Sequence, residues 1–462
     1  MLDFAIFAVT FVLFLLVLVF YLYPGSKSQT TIPGMDPSDP KEGNLPDILQ
    51  AGSLQIFLEK LHKQYGPISS FYMGTTLFVS LADPELYEQH KHVFDKPVEL
   101  FSMYKPIINE KSVLIVNGAE GRKQHKELEK VLNETCLKKL EVLCKLTEEL
   151  VEKWKGLSAE QHIPVYKYMI ALCMKIFSKT LFGNSFHEDK CVLDFSRTFE
   201  ICWTELEARA GGSIPEENSP QDIQFQEAAK RLKELMIKAA EDKDDEENIF
   251  NSLRKIGTLE QNINDDAIII VLKYYSVVAF LTWTIYFLAL HDDIQEKVYE
   301  EIDNILINNS PVTDEALSKL SYLKQVLNEC LRMANVEPWT ARVLDTDVEI
   351  GGHIIPKKTP VIHALGVTLQ DSKHWAVPKM FDPERFNIEN VKARQQLAFQ
   401  PFGFAGKRQC PGNKWTYVQV MTILTMICRN FKLSLVEGQM VTPYSRLITR
   451  PEEELWITIK KR

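Results

Sequence analysis

Hydrophobic and polar positions change rhythm several times along this chain, and each change marks an element. Phe4 to Tyr23, "FAIFAVTFVLFLLVLVFYLY", has no charge and no amphipathic period. As a helix it is long enough to cross roughly 30 Å of hydrocarbon. Asp3 before it and "YLYPGSKS" after it suit an uncleaved anchor better than a signal peptide, which wants a basic start and a small-residue cleavage site. Pro24 to Pro46 is rich in Pro, Gly and polar residues and predicts a linker against the membrane face. "SLQIFLEKLHKQYG" then has the spacing of an amphipathic helix, and "ISSFYMGTTLFVSLAD" that of two short strands split by Gly74.

From about Glu120 to Ala334 helical patterns dominate, interrupted by "GGSIPEENSPQD" and the acidic "EDKDDEEN". Between Arg342 and Val367 the alternation becomes strand-like around Gly351, Gly352 and Pro356. A last helix follows Cys410, and "LWITIKK" predicts a final strand. No repeat is visible. The prediction is mainly α with a small β portion, divided into an anchor (1–23), a linker (24–46) and one domain (47–462). Ala267 to Leu290 is apolar enough to suggest a second membrane span, but Lys273 lies within it and "HDDIQEKVYEEI" continues the helical pattern. A helix buried through the centre of a large domain is the better reading.

Composition narrows the function. Hydrophobic residues at 45% and charged residues at 25% are ordinary for a globular chain. A net charge of −9 argues against a nucleic-acid binder, since phosphate recognition needs a basic surface. The 8 cysteines are scattered without C-x-x-C pairs, which fits reduced thiols on the cytosolic side better than a disulfide scaffold. Lys27 and Lys41, beyond the apolar run, place the bulk of the chain on that side too.

One cysteine stands apart. In "PFGFAGKRQCPGNKW", Pro401 to Trp415, Cys410 lies between Gly406 and Gly412, after Lys407 and Arg408 and just before a helix. Cations and a helix N-terminus both favour a thiolate. The glycines allow something flat and bulky to approach the backbone. A lone thiol lacks the partners of a tetrahedral zinc site, so a metal carried by a macrocycle is the natural candidate. A buried cysteine in a glycine-containing turn is the rival reading.

The residues decide between them by resemblance. Gly406, Arg408, Cys410 and Gly412 match the G-x-R-x-C-x-G core of the haem-thiolate loop of the cytochrome P-450 superfamily. "ECLR" (Glu329, Arg332) resembles its E-x-x-R helix, "RVLDTDVEIGGHIIPKKTPV" the sheet that follows, and "FDPERF" (Phe381 to Phe386) its meander. These occur in the family's order from about Leu45 onward. The resemblance implies a P-450 fold behind a transmembrane helix, with haem b as cofactor and Cys410 as axial ligand to its iron. Arg408 and Arg342 are implied on the haem propionates. Glu329, Arg332 and Arg385 are implied in a partly buried network that pins the thiolate loop.

Three departures follow. The family's phenylalanine seven residues before the cysteine is Gly403 here, with Phe402 and Phe404 beside it, so Phe402 is the candidate to cover the sulfur. The Trp and Arg that family members often place near a propionate fall on Gly121 and His125, which makes His125 a substitute donor or a plain helix-surface residue. In the central helix the A-G-x-[DE]-T motif falls on Leu272, Lys273, Tyr274, Tyr275 and Ser276. Only Ser276 keeps a hydroxyl, which leaves it as the candidate proton relay without the acid beside it. This combination resembles the orphan vertebrate family-20 branch.

The resemblance implies a monooxygenase that inserts one oxygen atom of O2 into an apolar small molecule. It implies NADPH electrons through a flavoprotein reductase, and single-pass anchoring in the endoplasmic reticulum with the catalytic domain cytosolic. Arg122, Lys126 and Lys130 form a stripe that, with Lys407 and Lys414, reads either as a reductase dock or as a solvated face. The broken central motif keeps two alternatives open. One is a haem-thiolate isomerase or dehydratase acting on a peroxide substrate; the other is a haem-binding membrane protein with little turnover.

Overall fold

The computed structural model describes residues 30–462 except 110, 159, 184–188, 214, 242–247, 257–259 and 404–407. The predicted anchor, together with Phe404, Gly406 and Lys407, lies outside the described residues. Among them, one helical stretch, Asp265–Leu290, is long and apolar enough to cross a membrane, and it is buried inside the protein.

The helices that position the site are α1 (Leu54–Tyr65), α2 (Gly118–Leu137), α3 (Leu140–Lys155), α4 (Val165–Phe182), α5 (Asp189–Ala210), α6 (Glu260–Leu272), α7 (Tyr274–Leu290), α8 (Ser321–Ala334) and α9 (Asn413–Asn430). Helix α7 is apolar all round and buried on nearly every side, as an axial core helix must be. Helices α3, α4, α8 and α9 contribute to the same continuous core, with Trp154, Phe182, Leu323 and Ile423 among its most enclosed residues.

The central helix departs from the expected continuous rod. Regular helix stops at Leu272 and resumes at Tyr274, and the Ser276 amide bonds back three residues, to the Lys273 carbonyl at 3.1 Å. A tightened turn of this kind is a local irregularity in the helix, and it falls at a lysine, not at a small residue.

The β portion is small, as the alternation predicts. Strands β1 (Ile68–Met73), β2 (Thr76–Leu81), β3 (Thr340–Arg342) and β4 (Val361–His363) form a sheet in the order β1-β2-β4-β3, with β2 and β4 parallel and the other pairs antiparallel. Its inner face packs on α1 through Phe57, Phe71, Phe78 and Ile362. The C-terminal strand Trp456–Lys461 sits between Phe431–Leu435 and Ile163–Pro164. Part of the predicted linker is built into the fold: the Ser70 amide donates to the Pro33 carbonyl (2.8 Å), the Asn44 amide donates to the Tyr72 carbonyl (2.7 Å), and Ile32 is buried.

Two connections matter for the site. Helix α8 ends at Asn335, which takes the left-handed conformation that asparagine tolerates, and the chain passes through Glu337 and Pro338 into β3. The irregular segment before α2 is tied to α6 by two buried carboxylates. Asp265 accepts from the Asn109 amide (3.1 Å) and Asp266 from the Val113 amide (3.0 Å).

Candidate haem-thiolate site

Cys410 lies in the turn that leads into α9. Its amide donates to the Phe402 carbonyl at 2.9 Å, which closes the loop, and the Phe402 ring packs on Tyr417 at 5.3 Å. Gly403 has φ +86°, a conformation that suits glycine, so the phenylalanine of the family pattern is excluded here by backbone geometry. The backbone N–H of Gly412 points at the Cys410 sulfur. The expectation of a thiolate favoured by its own surroundings is corrected. Burial pushes the thiol up to about 11, outweighing the Gly412 N–H, Lys273 and Lys96. Lowering it falls to whatever cation the sulfur binds, since a coordinating thiol is deprotonated outright.

Arg408, two residues earlier, is buried and acts as a strap. Its Nη2 donates to the carbonyls of Val113 (2.9 Å), Leu114 (3.1 Å) and Val116 (3.0 Å), and its Nη1 donates to Asn117 Oδ1 (3.2 Å). Its guanidinium stacks 4.4 Å over Phe94. That ring also answers the missing tryptophan. A Cβ on Gly121 would meet the Val116 carbonyl oxygen at 2.3 Å and Phe94 at 3.2 Å, so no side chain fits at 121 and an aromatic from another segment occupies the space. His125, one turn on, donates from Nε2 to the Gln409 carbonyl at 2.8 Å and ties α2 directly to the thiolate loop. Burial holds it neutral, with its pKa down to about 4.

Arg342, at the end of β3, is buried with Nη1 on Thr340 Oγ1 (2.8 Å) and the Ala341 carbonyl (2.7 Å), while its Nε has no partner. Burial and Arg408 bring its pKa down to about 9. Lys96, which the sequence did not single out, belongs with them. Burial and then repulsion from Arg408, Arg342 and Lys273 hold its pKa well below the ordinary lysine range. Among the described residues, none of Lys96, Arg342 and Arg408 forms an ion pair with a carboxylate. Three mutually repelling cations around one space, with a buried N–H left over, are the complement of a guest with two carboxylates. The propionates of haem b fit that demand, and Cys410 fits as the ligand to its iron.

The charged pair of the E-x-x-R helix is more enclosed than expected. Arg332 meets Glu329 through two bonds, Nε to Oε2 (2.7 Å) and Nη2 to Oε1 (2.8 Å), with neither side chain accessible. Arg332 also donates to the Leu369 carbonyl at 3.0 Å, and Glu329 accepts the Asp382 amide at 2.9 Å. Arg385 stands 3.3 Å from Glu329. The structure therefore brings these three residues together, and what they fasten directly is the meander at 380–386.

On the opposite wall, Ser276 and Lys273 converge on a carboxylate that sequence reasoning missed. Ser276 Oγ donates to Glu337 Oε1 at 2.7 Å, and Lys273 Nζ lies 3.0 Å from both Glu337 oxygens. Burial works against its charge, but Lys273 and Ser276 hold Glu337 below the usual carboxylate range. Burial likewise works against Lys273, and Glu337 keeps it above the usual lysine range. Tyr275, at the family's acid position, is turned away and stacks 4.5 Å from Trp203. No local spacing links positions 276 and 337; the only signal was an acid just after the E-x-x-R helix. Lys273 and Ser276 themselves line a pocket whose other walls include Tyr104, Leu114, Trp203, Leu272, Leu447 and Ile448.

A model of the family described as "Cytochrome P450" matches residues 33–248 and 278–458. This chain belongs to the cytochrome P450 family. It is 36% identical to cytochrome P450 20A1 of Bos taurus over 473 residues and 35% identical to that of Homo sapiens over 471, with 100% of both chains covered in each case. The vertebrate family-20 likeness is thus shown. Among solved structures, the haem domain of cytochrome P450DA superposes with a TM-score of 0.82 at 19% identity, covering 93% of this chain and 98% of that one, which shows the shared fold. Members of the family are in general haem-thiolate monooxygenases. The stretch that the family model leaves out, 249–277, contains Lys273 and Ser276.

Proposed function

We propose that the chain is a membrane-anchored haem-thiolate monooxygenase acting on an apolar small molecule, with NADPH electrons delivered by a flavoprotein reductase. The observation that carries this is the convergence near Cys410 of Lys96, Arg342 and Arg408, cations that repel one another and form no ion pair among the described residues, beside a pocket lined by Leu114, Trp203, Leu447 and Ile448. Haem held there supplies one-electron and oxygen chemistry. The protein's own residues supply the rest. Cys410 would give the iron its thiolate ligand, the cations would hold the macrocycle through its carboxylates, and His125 would brace the thiolate loop through the Gln409 carbonyl. Leu114, Trp203, Leu447 and Ile448 exclude water and select an apolar substrate.

The basic stripe supports the reductase reading, since Arg122, Lys126, Lys130 and Lys414 are all exposed. The apolar run at 4–23 supports the anchor, and with Lys27 and Lys41 it favours a cytosolic catalytic domain on the endoplasmic reticulum. A second reading, an isomerase or dehydratase acting on a peroxide substrate, is favoured by the altered Lys273–Ser276 segment, because such a reaction needs neither reductase nor the family's acid.

The deciding experiment is the absorption spectrum of the reduced, carbon-monoxide-bound protein. A thiolate-type Soret band is expected, and Cys410→Ser abolishes it; a histidine-type spectrum, or a band indifferent to the substitution, overturns the assignment. NADPH consumption with purified reductase supports oxygenation, and decay of an added lipid hydroperoxide without reductase supports the second reading.

A further inference from the structure

Two polar residues of the pocket lining, Lys273 and Ser276, are bonded to Glu337 in a pattern that the family motif does not supply. They differ in what they have left to give. Ser276 spends its hydroxyl proton on Glu337 Oε1, at 2.7 Å. Glu337, ionised between a serine and an ammonium, is acceptor-only. An ammonium has three N–H groups. Two of those of Lys273 go to the Glu337 oxygens, at 3.0 Å each, and no partner for the third is present among the described residues.

The surroundings say where that third N–H is exposed. Lys273 keeps 48% of its side-chain surface, although Leu272, Tyr274 and Tyr275 on either side of it are buried. Lys273 lines the pocket with Tyr104, Leu114 and Trp203, so open surface of its side chain faces that cavity. Both Lys273 and Glu337 act electrostatically on Cys410, so pair and thiol share that space. Tyr104, also in the lining, is a neutral phenol whose pKa burial raises further.

We propose that Lys273 is the hydrogen-bond donor that meets a negatively charged or charge-gathering oxygen ligand in this cavity, with Glu337 as its positioning residue and Ser276 as the residue that holds Glu337. The role rests on the haem-thiolate reading, and it assigns Ser276 to holding the carboxylate instead of relaying a proton itself. Because the pair is neutral as a whole, removing either partner changes the sign of the charge left behind. Removing the cation leaves an anion that repels an anionic ligand, and removing the anion leaves a cation that attracts it.

The test uses the haem-loaded, full-length ferric protein and two probes followed by absorption: cyanide, which binds as an anion, and imidazole, which binds neutral. Lys273→Met is expected to weaken cyanide by about tenfold or more relative to imidazole. Glu337→Gln is expected to strengthen it relative to imidazole, and the double variant to return toward the wild-type ratio. A merely structural role moves both probes the same way. An unchanged ratio in Lys273→Met, or single variants that shift it in the same direction, overturns the inference. Where Lys273→Met does not take up haem, Glu337→Gln decides alone: no gain for cyanide refutes the proposal. The carbon monoxide spectrum of the wild type separates the two layers. A missing thiolate band refutes the haem-thiolate reading, whereas a normal band with an unmoved ratio refutes only the role of Lys273.

Discussion

Glu329 and Arg332 meet with no accessible surface on either side chain, whereas Lys273 and Glu337 keep 48% and 38% of theirs. Both are carboxylate–cation pairs with two contacts, so the difference lies in surroundings. The first pair is held further by backbone, with Arg332 donating to the Leu369 carbonyl and Glu329 accepting the Asp382 amide. It is a fastening, and removing one member strands a charge where water cannot reach it. The second pair stands at the edge of a cavity, where a ligand or water compensates either charge. A pair of this kind contributes little to folding and remains available for chemistry.

That contrast is open to direct attack. Arg332→Met strips the buried Glu329 of its two-bond partner and leaves it only Arg385, 3.3 Å away, and a loss of about 3 kcal/mol of folding stability is expected. Glu337→Gln is expected to cost under about 1 kcal/mol, in the range of exposed pairs. Urea unfolding of the two variants beside the wild type measures both, and comparable losses would erase the distinction between fastening and cavity pair.

The cavity cations allow a sharper cut through the site itself. Lys96 is half-buried, is repelled by Arg342 and Arg408, and makes no ion pair among the described residues; its ammonium lies 4.8 Å over the Phe101 ring, so its charge adds little to the fold. Lys96→Met is expected to leave the unfolding midpoint of the haem-free protein unchanged or raised. Loss of haem to an excess of apomyoglobin is expected to accelerate about tenfold, the equivalent of roughly 1.4 kcal/mol. A slower loss would mean that Lys96 opposes the guest.

How much of this was legible in the chain follows the same division. The thiolate loop, Glu329 and Arg332 are set by short spacings, and a local pattern survives translation into structure. The strands about Gly74 and the final strand were equally visible, because period-two alternation is itself local. Glu337 was not visible: its partners Lys273 and Ser276 lie 64 and 61 positions away, and only the folded chain brings them together. Lys96 was hidden for the same reason, as a lone lysine in an irregular segment. The thiol's acidity was misjudged because nearby cations are apparent in a sequence, whereas the burial that outweighs them is not.

A control away from both pairs gives the smallest expected effect. His62, on α1, donates from Nδ1 to the Gly66 carbonyl and accepts from Ser80 Oγ at Nε2, both at 2.7 Å. Burial lowers its pKa from 6.5 to about 4, against the opposing pull of the Gly66 carbonyl. The folded state therefore binds fewer protons than the unfolded chain between those values. The stability this histidine contributes is fully present above pH 6.5 and is lost as pH falls toward 4. Between pH 7.5 and 5.5 the loss is about 1 kcal/mol from this one group. Burial lowers His90 and His363 in the same way, so the total slope is steeper. His62→Gln removes only its own share, and the difference between the wild-type and variant slopes in urea unfolding isolates it. The thiolate Soret band is expected to follow pH identically in the two proteins. A variant band that differed would mean that α1 and the thiolate loop are coupled, and that the fastening of the site extends well beyond Glu329 and Arg332.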